Sequence, residues 1–237
     1  MAPFHPDARD KTGKSAIVDI GSKRATPDNF VKTFRNSAYM QNVCDFAGYE
    51  IHIRDFTIQP GTTNEAVAGT FIGAIEKIPY LVELGITHVQ LMPIMKFHTV
   101  NDANRTFFTG SGSSVNYNWG YDPQNYFTPE GWFCTNPDDP YCRIYELREM
   151  IKQFHAAGIG VVLDVVYNHT YAVETFENIA PGCYYRYSEN LRISGHTGAG
   201  ATLESRRKMV RKLMIDSMKH FVINYHVDGF RVDLMSF

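Results

Sequence analysis

A chain of 237 residues with 44% hydrophobic and 20% charged side chains holds enough apolar material for one good-sized core, or for one domain and part of another. Its formal net charge of −2 offers no basic field for nucleic acid, and no apolar stretch is long enough to span a bilayer. Aromatic residues are abundant, with 14 Tyr and 16 Phe, which suits either a packed core or a surface that stacks on sugar rings.

Residues 1–45 have too little apolar periodicity to fold alone. Ser15-Ala16-Ile17-Val18-Asp19-Ile20 reads as a short strand, and residues 21–29 are rich in turn formers. This segment is expected to be the edge of a preceding unit plus a linker. Residues 1–6 lack the apolar centre of a secretory leader, and cytoplasmic and secreted locations both stay open.

From Tyr49 a repeating pattern begins. Residues 49–53 alternate as a strand does. Phe71, Ile72, Ile75, Ile78, Leu81 and Val82 recur at helical spacing, with Pro79 predicting a kink or a late start. Residues 87–91 form a second strand, and a long stretch rich in Gly, Asn, Pro and aromatics runs from 92 to about 141. A loop of that length is functional or disordered, and its aromatic content argues against disorder. The spacing then predicts a helix over 145–157. A β-branched run over 160–166, of the kind buried on both faces of a parallel sheet, follows. A second long loop spans 167–201, a third helix 203–225, and a last strand is centred on Phe230.

The order strand, helix, strand, helix, strand, helix, strand suits right-handed parallel crossovers. Two architectures fit: an open doubly wound sheet, or the first half of an eight-stranded barrel. His196-Thr197-Gly198-Ala199-Gly200 does not give G-x-G-x-x-G and follows no strand directly, so a dinucleotide site is rejected. The four cysteines, Cys44, Cys134, Cys142 and Cys183, form no C-x-x-C pair, and a zinc site is not expected. Cys134 and Cys142 bracket a Pro- and Asp-rich loop. They could bridge in an oxidising compartment or stand as free thiols in a reducing one.

Unusual polar groups collect at strand C-termini, the end where parallel α/β folds build their sites. Arg54 and Asp55 follow the first strand, Tyr167, Asn168 and His169 the third, and Asp233 the fourth. Arg231 and Asp233 lie two positions apart on one strand and project from one side. An arginine there lowers the carboxylate pKa and keeps it ionised, as a nucleophile requires; a structural ion pair is the other reading. Asp164, inside a buried strand, must be paired, and Arg231 is the obvious partner if the two strands are neighbours. Trp119, Tyr121 and Asp122 could form a sugar platform or a loop packed on itself.

Several of these stretches carry a resemblance. Asp164-Val165-Val166-Tyr167-Asn168-His169 and Gly229-Phe230-Arg231-Val232-Asp233 resemble the strand-three and strand-four motifs of the α-amylase superfamily of glycoside hydrolases. Tyr117-Asn118-Trp119-Gly120-Tyr121-Asp122-Pro123 is similar to the signature of type I pullulanases, and Tyr49-Glu50-Ile51-His52-Ile53-Arg54-Asp55-Phe56 resembles that family too. The resemblance implies an α/β fold, the first half of a (β/α)8 barrel over residues 46–237. Residues 1–45 are then the tail of a preceding β-sandwich module and linker. It implies retaining hydrolysis of α-1,6-glucosidic bonds in pullulan, glycogen or starch, with an α-glucan polysaccharide or oligosaccharide as partner. A related transferase or isoamylase-like enzyme, or a non-catalytic α-glucan-binding protein, is the alternative.

By the same resemblance, Asp233 is the nucleophile and Arg231 orients it. His169 hydrogen-bonds the sugar at the cleavage point, Tyr121 stacks on that ring, Asp122 contacts its hydroxyls, and Asp164 supports Arg231. No organic cofactor is implied. Calcium is allowed for, because Asn168 matches a position that binds it in some α-amylases, but pullulanases often lack that site and no metal is assigned. The acid/base Glu and a further Asp belong after strands five and seven, so these 237 residues are expected to be an inactive fragment whose last strand exposes an edge.

Overall fold

The computed structural model describes residues 15–30, 42–103 and 116–236. Much of the expected leading module, residues 1–45, therefore lies outside the described residues. Strand β1 (Gly48–Ile51) leads to two short helices, α1 (Phe71–Ile75) and α2 (Ile78–Glu83), and then to β2 (His88–Leu91). The break predicted from Pro79 falls just before it, at Glu76 and Lys77. The proline sits in the first turn of α2, where its missing N–H leaves no bond unmade.

Helix α3 (Pro140–Ala156) starts earlier than its apolar face implies. Asp139 caps it by accepting from Tyr141 N at 2.9 Å, and Pro140 opens it. Strand β3 (Gly160–Val165) follows. The second long loop is not featureless: β4 (His169–Thr170) pairs antiparallel with β5 (Ala201–Thr202), and α4 (Glu174–Glu177) lies between them. Helix α5 (Lys208–Tyr225) begins later than predicted, because the preceding residues are held by the hairpin. Leu203 N donates to Asn168 O at 3.0 Å and Glu204 N to Tyr184 O at 2.8 Å. Strand β6 (Gly229–Val232) closes the series.

The main sheet runs β1-β2-β3-β6, all parallel, with Asp164 opposite Arg231. Strand order follows chain order without reversal. A doubly wound sheet reverses at a switch point, so of the two architectures this is the barrel half, strands one to four. Val89, Leu91, Val161, Leu163 and Val165 are fully buried beneath the helices, with Leu147, Met150, Ile151 and Phe154 of α3 packed against them. No strand forms over residues 15–20 among the described residues. Ile17 is almost fully exposed, and the chain turns instead so that Ile20 O and Ala25 O accept from Arg148 of α3 at 2.8 and 2.9 Å. No helix among the described residues is long and apolar enough to cross a membrane.

The first long loop is anchored by buried charge. Lys96 Nζ lies 3.1 Å from Glu130 Oε1 and 3.4 Å from Asp102 Oδ1, and Arg143 of α3 lies 3.4 Å from Asp102 Oδ2. Glu130 also accepts from Phe97 N and Trp132 N, and burial still pushes its pKa up. Gly131 is required beside this cluster, since a Cβ there would meet Arg143 Nη2 at 2.2 Å. Removing one partner of such a group strands the other charge in the interior. Glu130→Gln should therefore lower unfolding stability by about 3–5 kcal/mol. The check is a fall in the urea midpoint at unchanged slope.

Helix α5 ends at His226 in the left-handed conformation, φ 62°, with its ring stacked on Phe30 at 4.2 Å. Burial, then His155 and Arg148, push its pKa down to about 4. The unfolded chain binds that proton near pH 6.5, so acid favours unfolding. Stability present above pH about 6.5 should be lost as pH falls to about 4, and Glu146, pushed up by burial, acts with the opposite sign. The difference between wild type and His226→Asn isolates the histidine: the variant should lose less stability between those limits, as urea titrations at each pH would read.

Candidate active site

Three strand ends and one loop converge. Asp164, 1% exposed on β3, accepts from Arg231 Nη1 at 3.0 and 2.9 Å and from Tyr121 Oη at 2.7 Å. Arg231 Nη1 also reaches Asp233 Oδ1 at 2.8 Å. The arginine thus bridges a buried and a half-buried carboxylate, and β3–β6 register puts it there. Burial pushes the Asp164 pKa up against the pull of Tyr121 and Arg231. Burial and the bond to Asp164 hold the Tyr121 phenol well above its ordinary range, so it remains a donor.

Asp233 has a second anchor. Asn168 Nδ2 donates to its backbone oxygen and to its Oδ2, both at 3.1 Å. Asn168 Oδ1 pairs in turn with His169 Nδ1. The His169 ring is buried, bonds the Tyr121 backbone as well, and has its pKa lowered by burial. The β4–β5 hairpin and the bond from Tyr126 Oη to His169 O at 2.8 Å fix this corner. Asn168, whose sequence position shows only that it follows strand three, thus positions the carboxylate. Its grip on Asp233 depends on β3 and β6 lying side by side, which sequence spacing does not express.

The loop over 116–123 is seated on the end of β1. His52 Nε2 bonds Asn118 O at 3.1 Å, Tyr117 Oη donates to Asp55 Oδ2, and Arg54 lies 5.9 Å from the Tyr117 ring centre. Burial, then the bond to Asp55, push Tyr117 up to about 12. Gly120, at φ 98°, brings the backbone so close to Pro93 that a Cβ would lie 2.6 Å from its carbonyl oxygen. This turn swings Tyr121 under Asp164 and leaves Trp119 60% exposed.

Of the predicted residues, Tyr121 and Asp233 line one cavity of about 600 Å³, together with Glu50, Asp55, Tyr117 and Trp119. Asp122 lines an adjoining one of about 340 Å³ with Tyr117, Trp119 and Tyr121; burial pushes its pKa up, opposed by Thr99. Arg231, Asp164 and His169 do not line the larger cavity: Arg231 joins Asp164 to Asp233, and His169 bonds Asn168, which holds Asp233. Asp55 and Trp119 keep the strand-end and aromatic-loop places that the sequence gives them, and Glu50 joins them from β1. Their shared signal was position, at or beyond a strand end or in the aromatic loop. An apolar wall with a few convergent carboxylates is the make-up of a small-molecule site.

A parallel barrel half that gathers carboxylates at its strand ends belongs to the class of α/β-barrel proteins with a polar ligand site. The family model described as alpha amylase, catalytic domain, matches residues 21–186, and the chain belongs to that family. Pullulanase A of Streptococcus pneumoniae serotype 4 is 41% identical over 233 residues, which is 97% of this chain and 18% of that protein. The chloroplastic Isoamylase 3 of Oryza sativa subsp. japonica is 34% identical over 202 residues, 81% of this chain and 25% of that one. The crystal structure of a pullulanase from Paenibacillus barengoltzii in complex with maltohexaose and alpha-cyclodextrin superposes with a TM-score of 0.84 at 36% identity, covering 94% of this chain and 35% of that one. The chain thus spans about a fifth to a third of the length of these relatives.

Tyr121→Phe takes one donor from the buried Asp164 and should cost about 1–3 kcal/mol. It should also loosen the loop, read as faster amide exchange at 117–122 than in wild type.

Proposed function

We propose that this chain is part of a glycoside hydrolase that cleaves α-1,6-glucosidic bonds in pullulan, glycogen or starch with retention of configuration. The observation that carries the reading is Asp233, held at two points by Arg231 and Asn168 at the floor of an aromatic-walled cavity. A nucleophilic carboxylate has to be aimed, and these two donors fix its orientation. Tyr121 offers a ring face to the sugar bound next to Asp233, and Trp119 extends that wall. Asp122 takes hydroxyls in the adjoining cavity. His169, assigned by resemblance to the sugar at the cleavage point, reaches it only by giving up its bond to Asn168 or to Tyr121. Otherwise it acts by holding those two.

Attack by Asp233 at the anomeric carbon forms a glycosyl ester as the leaving oxygen takes a proton. The proton donor is a second carboxyl group about 5–5.5 Å away, and the longer relatives leave room for it on a later strand. Names of relatives support the substrate class, and residues 1–45 go with this reading as the tail of a module before the barrel. Asn168, which stands where some α-amylases bind calcium, spends its amide on Asp233 and its oxygen on His169.

The full-length product of the gene that encodes this chain should release maltotriose from pullulan, and Asp233→Ala should remove nearly all of that activity. Isoamylase-type specificity would appear as action on glycogen with pullulan left intact. The 237 residues alone should bind maltooligosaccharide, with a change in Trp119 fluorescence, and release no reducing sugar. Turnover by the isolated chain that Asp233→Ala abolishes would place the acid among its own residues, with Glu50 and Asp55 the first to test.

A further inference from the structure

Cys134 and Cys142, which the sequence merely brackets around a loop, meet in the fold. Cys134 ends the 3-10 turn Gly131–Phe133 and is fully buried, with its Sγ 3.1 Å from Gly131 O. Cys142 lies in the first turn of the 17-residue α3 and is half-buried. It lines a separate surface cavity of about 480 Å³ with Arg24, Asn136, Tyr141 and Glu146. Thr135, which follows Cys134 in the chain, brings its Oγ1 to 3.5 Å from Cys142 Sγ, and the two thiols are close enough to interact. Around Cys142 Sγ stand Glu146 Oε1 at 3.1 Å, Asn136 N at 3.4 Å and Thr135 Oγ1 at 3.5 Å. One thiol thus faces an opening, accepting from the Asn136 amide and donating to Glu146, and the other is sealed behind it. Cys44 and Cys183 are exposed and have no such surroundings described.

We propose that Cys142 and Cys134 are a peroxide-reactive dithiol, in which Cys142 is the attacking thiol and Cys134 the resolving one. In the first step the Cys142 sulfur attacks the outer oxygen of a hydroperoxide. An S–O bond forms, the O–O bond breaks, and the remaining alkoxide or hydroxide leaves with a proton as alcohol or water. Sulfur is oxidised to sulfenic acid and the peroxide is reduced. In the second step Cys134 attacks that sulfur, the S–S bond forms, and the hydroxyl leaves with the Cys134 proton as water. Two thiols and one hydroperoxide give one disulfide, one alcohol and one water.

The local chemistry orders the two roles. The bond from Cys134, then those from Thr135, Glu146 and the Asn136 amide, pull the Cys142 thiol down to about 5 against burial, and a helix N-terminus acts in the same sense. The bond to Cys142 and burial push Cys134 up, so it stays a thiol until its partner is oxidised. Burial raises the Glu146 pKa, and its Oε1 lies 3.1 Å from Cys142 Sγ, within reach to pass a proton toward the departing oxygen. None of this uses the cavity beside Asp233, so the proposal stands or falls apart from the glucan reading.

The test treats the reduced 237-residue chain with hydrogen peroxide, blocks remaining thiols with iodoacetamide, and maps peptides by mass. The expected result is loss of two hydrogens from the intact mass and a peptide linked through Cys134 and Cys142. Cys44 and Cys183 should stay alkylated, and dithiothreitol should reverse the change. In Cys134→Ser the reaction should stop at a sulfenic acid on Cys142 that dimedone traps. Should that variant fail to fold, the wild-type alkylation rate at pH 6 decides, with Cys142 expected to outpace Cys44. Oxidation first at Cys44 or Cys183, a Cys142 sulfenic acid that persists beside an intact Cys134, or equal alkylation rates would each overturn the proposal.

Discussion

A single buried carboxylate determines how the candidate site is put together. Asp164 sits inside a strand covered on both faces, where an unpaired charge would cost several kcal/mol, on the order expected for an ion taken from water. It is satisfied by two donors from elsewhere in the chain, the guanidinium of β6 and the phenol of the 116–123 loop. The need to satisfy it brings together the last strand, the long loop and the middle of the sheet. Arg231 has capacity left over, and it spends that on Asp233. The orientation of Asp233 is thus a by-product of solving a burial problem on the neighbouring strand.

The loop that supplies Tyr121 is not held by regular structure, and its anchors differ in kind. On the β1 side it rests on rings: His52 packs against Tyr117, Trp132 and Phe133 with centroids 5.4 to 6.3 Å apart. On the α3 side it rests on the buried Lys96, Glu130, Asp102 and Arg143. Between them the backbone is pinned at Gly120, where no side chain fits. A loop with that many independent ties presents Trp119 and Tyr121 as fixed faces, and a binder that need not order itself keeps more of its interaction energy.

Much of this was legible before any coordinates. The β-branched run at 160–165 announces a strand buried on both faces, and an aspartate inside it announces a partner, so the Asp164–Arg231 pair could be anticipated. The strand-end position of His169 and Asp233 was equally readable, because a parallel sheet places its site by topology. Contacts set by three-dimensional neighbours were not. Asn168 grips Asp233 across 65 residues and Lys96 meets Glu130 across 34, and no local pattern encodes either. The start of α3 was missed for another reason: its signal is the Asp139–Pro140 cap, and apolar spacing begins only a turn later.

The buried quartet behind the loop gives the molecule a temperature preference. Charges removed from water cost less to bury as temperature rises, because their hydration becomes less favourable. Apolar contacts weaken on cooling. The ionic and the aromatic anchor of the Tyr121 loop therefore slacken in the same direction, toward the cold. The wall facing Asp233 is firmest in a warm solution, and on chilling it should lose its shape before the sheet beneath it does.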